Sequence, residues 1–233
     1  MEPLWLKLFT AFSSAVLGVA GVVVALFVFF KGRGEFQKSQ QWKEAEFIAQ
    51  EIKQMQSSQH HRAVTSMLDW EDRPIAVPGT AGRPAAGFVV NSEWLGLALL
   101  SHRRVRKFGD AAKCVRDIFS DFFDDWNRLG HYLETGLVKP ATLRPHIGYW
   151  VDLIAGRGAV KKKSAVRFAI YEFVIDYGYT GVLFLFARFD FEMEKEYARL
   201  RDELKHPALP DRPGAKLPLE SRISVEDPPA ATA

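Results

Sequence analysis

The hydrophobic pattern of this chain opens with one uninterrupted block. Residues 8–30 include no charged side chain and are largely Leu, Val and Phe. A helix rises ~1.5 Å per residue, so such a block covers ~35 Å, against ~30 Å for a bilayer's hydrocarbon core. The pattern therefore predicts a transmembrane helix over 8–30 behind a short segment, 1–7. The block ends in Val28-Phe29-Phe30-Lys31, bulky where a signal peptidase requires small side chains. An uncleaved signal anchor is expected.

Apolar residues then change to helical spacing. Trp42, Ala45, Ile48, Ala49, Ile52 and Met55 recur at three and four, joined further on by Val64, Met67 and Leu68. This predicts a juxtamembrane amphipathic helix in the region 31–71, its pattern running from Glu35, after Gly32 and Gly34, to about Asp69 and weakened across the polar run 54–61. Prolines 74, 78 and 84 with three glycines make 72–90 a loop, too interrupted for a central strand. A helical domain is predicted over 91–205. Asn91 or Ser92 caps a short helix through Trp94, Leu95, Ala98 and Leu99. The clearest helix starts at Asp110 after Gly109 and carries Val115, Ile118, Phe119, Phe122, Trp126, Leu129 and Leu133 on one stripe. Gly136 stops it in a Schellman ending, with Leu137 as the apolar closing residue. Pro140 restarts the chain, Pro145 divides the next region, and Gly156 and Gly158 close it. Ser164 opens a helix through Tyr177, and Gly178 and Gly181 mark a break before the apolar run 182–187. The charged run 192–205 reads as a solvated helix with Glu196–Arg199 and Glu203-side pairs. Residues 206–233, with six prolines, are expected to be disordered.

A second long apolar stretch, 168–189, contains Glu172, Asp176 and Arg188. Glu172 and Asp176 share a helix face, where unpaired acids are costly in lipid, so a buried helix of a folded domain is expected there.

Charge sets orientation. Lys7 is offset by Glu2 before the first block, whereas Lys31, Arg33, Lys38 and Lys43 come soon after it. Cationic flanks stay in the cytoplasm, which puts the amino terminus outside and the carboxyl domain inside. The single Cys114 agrees with a reducing compartment. A net charge of +3 in 233 residues leaves no nucleic-acid footprint, since Lys161-Lys162-Lys163 is a short run without interleaved aromatics. The expected partners are the bilayer, through 8–30, and a protein the sequence does not identify. Ser14-xxx-Gly18 and Gly21-xxx-Ala25 have the small-xxx-small spacing of self-associating spans, which adds a homo-oligomer through the span.

No phosphate-cradling loop, zinc-spaced Cys/His set or nucleophile elbow is present. The sequence therefore assigns no catalytic, cofactor-binding or metal-ligating residue and no cofactor. Two acidic constellations stand out. Asp117, Asp121, Asp124 and Asp125, with His131 and Glu134 beyond them, form a ladder on the 110–135 helix. A di-metal bundle needs carboxylates from several helices, and here a single helix supplies them. His60 and His61 point about 100° apart on a helix and cannot easily share an ion. The second constellation is a polar network, in which Asp117, Asp121, Glu172 and Asp176 are matched with Arg104, Arg116 and Arg128.

Several segments together carry a likeness: Met67-Leu68-Asp69-Trp70-Glu71-Asp72-Arg73, Val115-Arg116-Asp117-Ile118-Phe119 with Phe122-Phe123, Gly136-Leu137-Val138, and Tyr149-Trp150. They resemble a group of bacterial proteins of unknown function with one amino-terminal span and a small helical cytoplasmic domain. The resemblance implies architecture and no activity. The expectation is thus an all-α protein of about five or six bundled helices, held at the inner membrane by a single pass. Its expected role is an interaction or scaffold module with no enzymatic activity evident. The alternative is a ligand- or metal-dependent sensor or enzyme using the acidic face of the 110–135 helix.

Overall fold

The computed structural model describes residues 4–70, 72–77, 86–158, 162–207 and 222–228, and the side chains among these from Leu26 onward outside the segments 72–77, 86 and 88. The chain divides into two compact units, residues 1–47 and 48–233. The first lies on a long helix, α1 (Leu4–Ser57), which runs without a break through Gly32 and Gly34. Large apolar side chains on it, among them Phe29, Phe30, Phe36 and Trp42, are exposed.

The expected membrane anchor is corrected here. Among the described residues no helix is long and apolar enough to cross a membrane. The helix does not end with the apolar block. It continues through Lys31, Arg33, Glu35, Lys38, Lys43 and Glu44 into a charged segment. The single-pass topology, the signal anchor, the orientation and the inner-membrane placement fall with it. The small-residue spacings Ser14/Gly18 and Gly21/Ala25 lie outside the described side chains.

The second unit is mostly helical but not all-α. Its core is organised by α4 (Asp110–Glu134), whose stripe Val115, Ile118, Phe119, Phe122, Trp126, Leu129 and Leu133 is buried as its spacing requires. The end of α1 contributes Ile48, Ile52 and Met55. A break at Ser58, within the polar run, leads to α2 (Gln59–Asp69), which packs on α4 through Val64, Met67 and Leu68. Buried His61 lies against Phe122, their ring centroids 5.2 Å apart.

The expected 72–90 loop contains an antiparallel hairpin, β1 (Asp72–Val77) with β2 (Ala86–Asn91). Both are edge strands of a two-stranded sheet, the position in which Pro74 is tolerated. Asn91 then caps α3 (Ser92–Leu99), its Oδ1 accepting from Trp94 N at 2.8 Å. A turn leads into β3 (Val105–Phe108) and α4. The ending of α4 uses Gly136 at φ 72°, but Val138 N–H reaches back to the Tyr132 carbonyl, and Val138 is buried while Leu137 is exposed. The closing apolar contact is therefore displaced by one residue from the expected Schellman form.

Pro140 begins α5 (Pro140–Ala155), and Pro145 lies inside it rather than dividing it. The 168–189 stretch is covered by two helices, α6 (Ser164–Asp176) and α7 (Thr180–Arg188), parted at Gly178 with φ 73°. The last helix, α8 (Met193–Glu203), carries the expected Arg199 pairs to Glu196 and Glu203, at 2.7 and 2.6 Å. Within the short lysine run Lys162 is buried, and its Nζ donates to the Trp70 carbonyl at 2.8 Å. The tail is not wholly unstructured either, because β4 (Ile223–Val225) pairs in parallel with β3.

Helices α4 and α7 approach each other backbone to backbone. A Cβ added to Gly130 would lie 1.8 Å from the Gly181 carbonyl oxygen, and one on Gly181 would lie 2.2 Å from the Asn127 carbonyl oxygen. Asn127 Oδ1 also accepts from Gly181 N at 2.7 Å. Gly130→Ala must therefore separate two backbones and should cost about 1–3 kcal/mol in urea unfolding. Gly148→Ala meets only the flexible Arg144 side chain, at 3.4 Å, and should stabilise the protein by about 0.5–1 kcal/mol. Equal effects of the two substitutions would show that the α4–α7 approach is not constrained.

Candidate functional site

Two features converge on the turn after α3. The first is an ionic network sealed inside the domain. Glu172 on α6 is 1% exposed, and its Oε1 accepts from Arg104 Nε at 2.7 Å and from Tyr197 Oη at 3.0 Å. Its Oε2 accepts from the Ser101 backbone N–H at 3.0 Å. One turn further along α6, Asp176 accepts from Arg103 Nη1 at 3.0 Å and from the Ser101 hydroxyl. The two acids thus bind residues 101–104, the segment that leads into β3. Burial, reinforced by the Glu172 charge, pushes the Tyr197 phenol up to about 12. His206 stacks on Phe168 with centroids 4.5 Å apart, and burial, then the Arg104 charge, lowers its pKa.

Of the partnerships expected from sequence, Glu172–Arg104 is formed. Asp176 pairs with Arg103, which the sequence pattern did not single out. Arg116 is buried but donates to carbonyls, Ala98 O at 2.8 Å and Leu100 O at 2.6 Å, and to the Tyr177 hydroxyl at 2.8 Å. Its guanidinium lies 4.3 Å from the Phe108 ring centroid, which fixes the end of β3. Arg128 pairs with Glu51 and Asp125.

The second feature is the carboxyl-terminal segment 222–228, seated along β3. Ile223 N–H donates to the Arg104 carbonyl at 3.1 Å, and Gly109 N–H donates to the Val225 carbonyl at 2.8 Å. The segment is therefore bonded at both ends of β3. Val225 is 3% exposed, whereas Ile223, Ser224, Glu226 and Asp227 face outward. The Trp94 indole N–H donates to the Glu226 carbonyl at 2.8 Å. Asp227 then accepts from two backbone N–H groups in the first turn of α4, Asp110 N at 3.1 Å and Ala111 N at 2.8 Å. Gly109 occupies the N-cap position and has no side chain to do this. A Cβ there would lie 2.1 Å from Asp227 Oδ1, so the bare glycine makes the room that the aspartate fills.

The acidic ladder of α4 is dispersed among separate partners. Asp121 meets His60 at 3.0 Å, Asp125 meets Arg128, and His131 meets Glu134 at 3.1 Å. Partial burial, then the neighbouring Asp121 and Asp125, raise the Asp124 carboxyl above its ordinary range. Among the described residues no group of three His, Cys, Asp or Glu side chains could hold a metal ion.

No known family, curated protein or solved structure matches this chain. The site must be judged on its own geometry. Sequence reasoning missed the docked segment because its prolines dominated the composition. The signal was the glycine at an N-cap and a distant Val-Glu-Asp able to serve it.

Burial makes two outcomes measurable. Glu172→Leu leaves the Arg104 cation enclosed without its anion and should cost about 3–5 kcal/mol in denaturant unfolding. Adding Arg104→Met should recover much of that, whereas simple additivity of the two losses would mean the pair is not coupled. His61 has a lowered pKa, first from burial and opposed by Asp125. A depressed histidine contributes stability above its unfolded value of ~6.5 and loses it as pH falls through the folded value. Unfolding free energy should therefore decline on acidification below about pH 6.5, and His61→Leu should flatten that decline. An unchanged slope in the variant would assign the acid sensitivity elsewhere.

Proposed function

We propose that the second unit is a protein-interaction module with no reaction of its own, and that its docking surface is the groove formed by β3, Trp94 and the Gly109 end of α4. One observation carries this: the groove holds an extended peptide segment, residues 223–227, by backbone pairing, one indole bond and one helix cap. Recognition by an added strand supplies affinity through main-chain bonds and selectivity through the few side chains that are enclosed. The surrounding charges fit this role. Arg104, Arg103 and Arg116 are engaged in holding the turn, so the ionic network acts as the groove's rigid wall. The alternative use of the 110–135 acidic face gains no comparable support, since its carboxylates are distributed over separate pairs.

The decisive measurement uses the full chain with Val225→Asp, which places a charge where a buried valine anchors the segment. An octapeptide of residues 222–229 should bind this variant saturably in calorimetry, with one site per chain. Adding Gly109→Ser should abolish binding, because serine caps α4 itself and fills the space the peptide aspartate needs. Absence of binding to the Val225→Asp chain up to millimolar peptide would overturn the proposed function.

A further inference from the structure

The same groove carries a regulatory relation and a partner chemistry, both of which rest on the docking role just proposed. We propose that residues 222–228 are a displaceable strap, a resident competitor for an extended segment of another protein that carries an apolar residue and, two positions later, a carboxylate.

The contacts define that pattern. Along the strap Val225 is the fully enclosed side chain, Arg222 and Pro228 are half-buried, and the Asp227 carboxylate is held by hydrogen bonds to α4. Between them the Trp94 indole takes the backbone carbonyl of Glu226, whose side chain is exposed. The groove therefore reads an apolar residue, ignores the next side chain while binding its carbonyl, and reads an acid. Ile223 and Ser224 contribute main chain, with Ser224 opposite Lys107 in the register. Charge complementarity extends the preference. Arg106 and Lys107 project from β3 into solvent, and they favour a partner with further acids beside the pattern.

The strap is suited to exchange. Among the described residues it pairs over three, Ile223–Val225, and encloses one apolar side chain. Its hold comes partly from being on the same chain. A tethered segment competes at an effective concentration that reaches the order of millimolar. An external segment with identical contacts is then largely excluded at micromolar concentration. A partner gains entry by binding better at the two read positions or by meeting a weakened strap. The apparent affinity is the intrinsic affinity multiplied by the fraction of grooves left open. Every tenfold weakening of the strap therefore gives up to a tenfold gain for the competitor.

The experiment measures anisotropy of a fluorescein-labelled peptide of residues 222–229 against the full chain. Asp227→Ala, which removes the helix cap but leaves the strap in sequence, should bind at least tenfold more tightly than the unaltered chain. Peptides with asparagine for the aspartate or aspartate for the valine should each bind at least tenfold more weakly. A chain with Lys107→Cys and Ser224→Cys should close the strap by a disulfide, since these residues are register partners on strands ~4.8 Å apart. The oxidised form should not bind, and reductant should restore binding. The disulfide chain tests the strap independently of any substitution that fails to fold.

Equal binding by the unaltered and Asp227→Ala chains would overturn the strap while leaving the docking groove in place. No binding to either Asp227→Ala or Val225→Asp would overturn both. Indifference to the peptide aspartate would overturn the partner pattern. Concentration-dependent dimers of the unaltered chain that disappear with Val225→Asp would make a second copy the occupant and overturn the choice of a different protein.

Discussion

A carboxylate sealed from water is stable as an anion only where donors replace the water it has lost, and Glu172 has three of them on two parts of the chain. The Arg104 guanidinium and the Ser101 amide come from the turn between α3 and β3, and Tyr197 from α8. Desolvation makes such a group expensive in isolation, so the surrounding elements are fixed by the need to satisfy it. The turn cannot move from α6 without exposing Arg104 and Glu172 as unmatched charges. Asp176 repeats the constraint one helical turn away through Arg103. The position of β3 is thus inherited from a pair of acids on α6.

Much of this scaffold is legible in the chain. The 110–134 helix is dictated by seven apolar positions on one stripe, and all seven are buried. Glu172 and Asp176 stand in an apolar stretch, so a requirement for cationic partners can be inferred before any fold is known. Their identities cannot. Arg116 is nearer Asp117 in sequence, yet its guanidinium ends among carbonyls and aromatic rings because α3 terminates against it. Partner choice depends on where helices cross, and that crossing is set by close approaches such as Gly130 with Gly181. A glycine in a sequence does not disclose which distant backbone will use its missing side chain.

The apolar block at the amino terminus shows a different limit. Hydropathy counts side chains in a window, whereas the helix boundary depends on backbone continuity. Gly32 and Gly34 each weaken a helix by about 1 kcal/mol relative to alanine, which makes them look like its end. The helix passes through both and joins the charged segment beyond, and among the described residues it is not a membrane-crossing helix. Spacing also misplaces Trp42. It fits the apolar stripe that includes Ile48 and Ile52, but it is 77% exposed. Periodicity identifies a face without saying how far along the helix that face is covered.

The groove joins these points energetically. Its floor is a short strand held by Arg116 under Phe108 and by the Glu172 pair behind Arg104, so the cost of shaping it is met inside the domain. Its surface offers strand backbone, an indole donor and a helix end capped by a residue more than a hundred positions away. Those groups need a partner, but among the described residues the partner adds a three-residue strand pairing, one enclosed apolar side chain and a few flanking hydrogen bonds. Net values of about 1 kcal/mol per such bond, with less at exposed sites, place the contact near the ordering cost of the residues that make it. A rigid wall and a marginal occupant are the physical conditions under which one extended segment can be replaced by another without disturbing the fold.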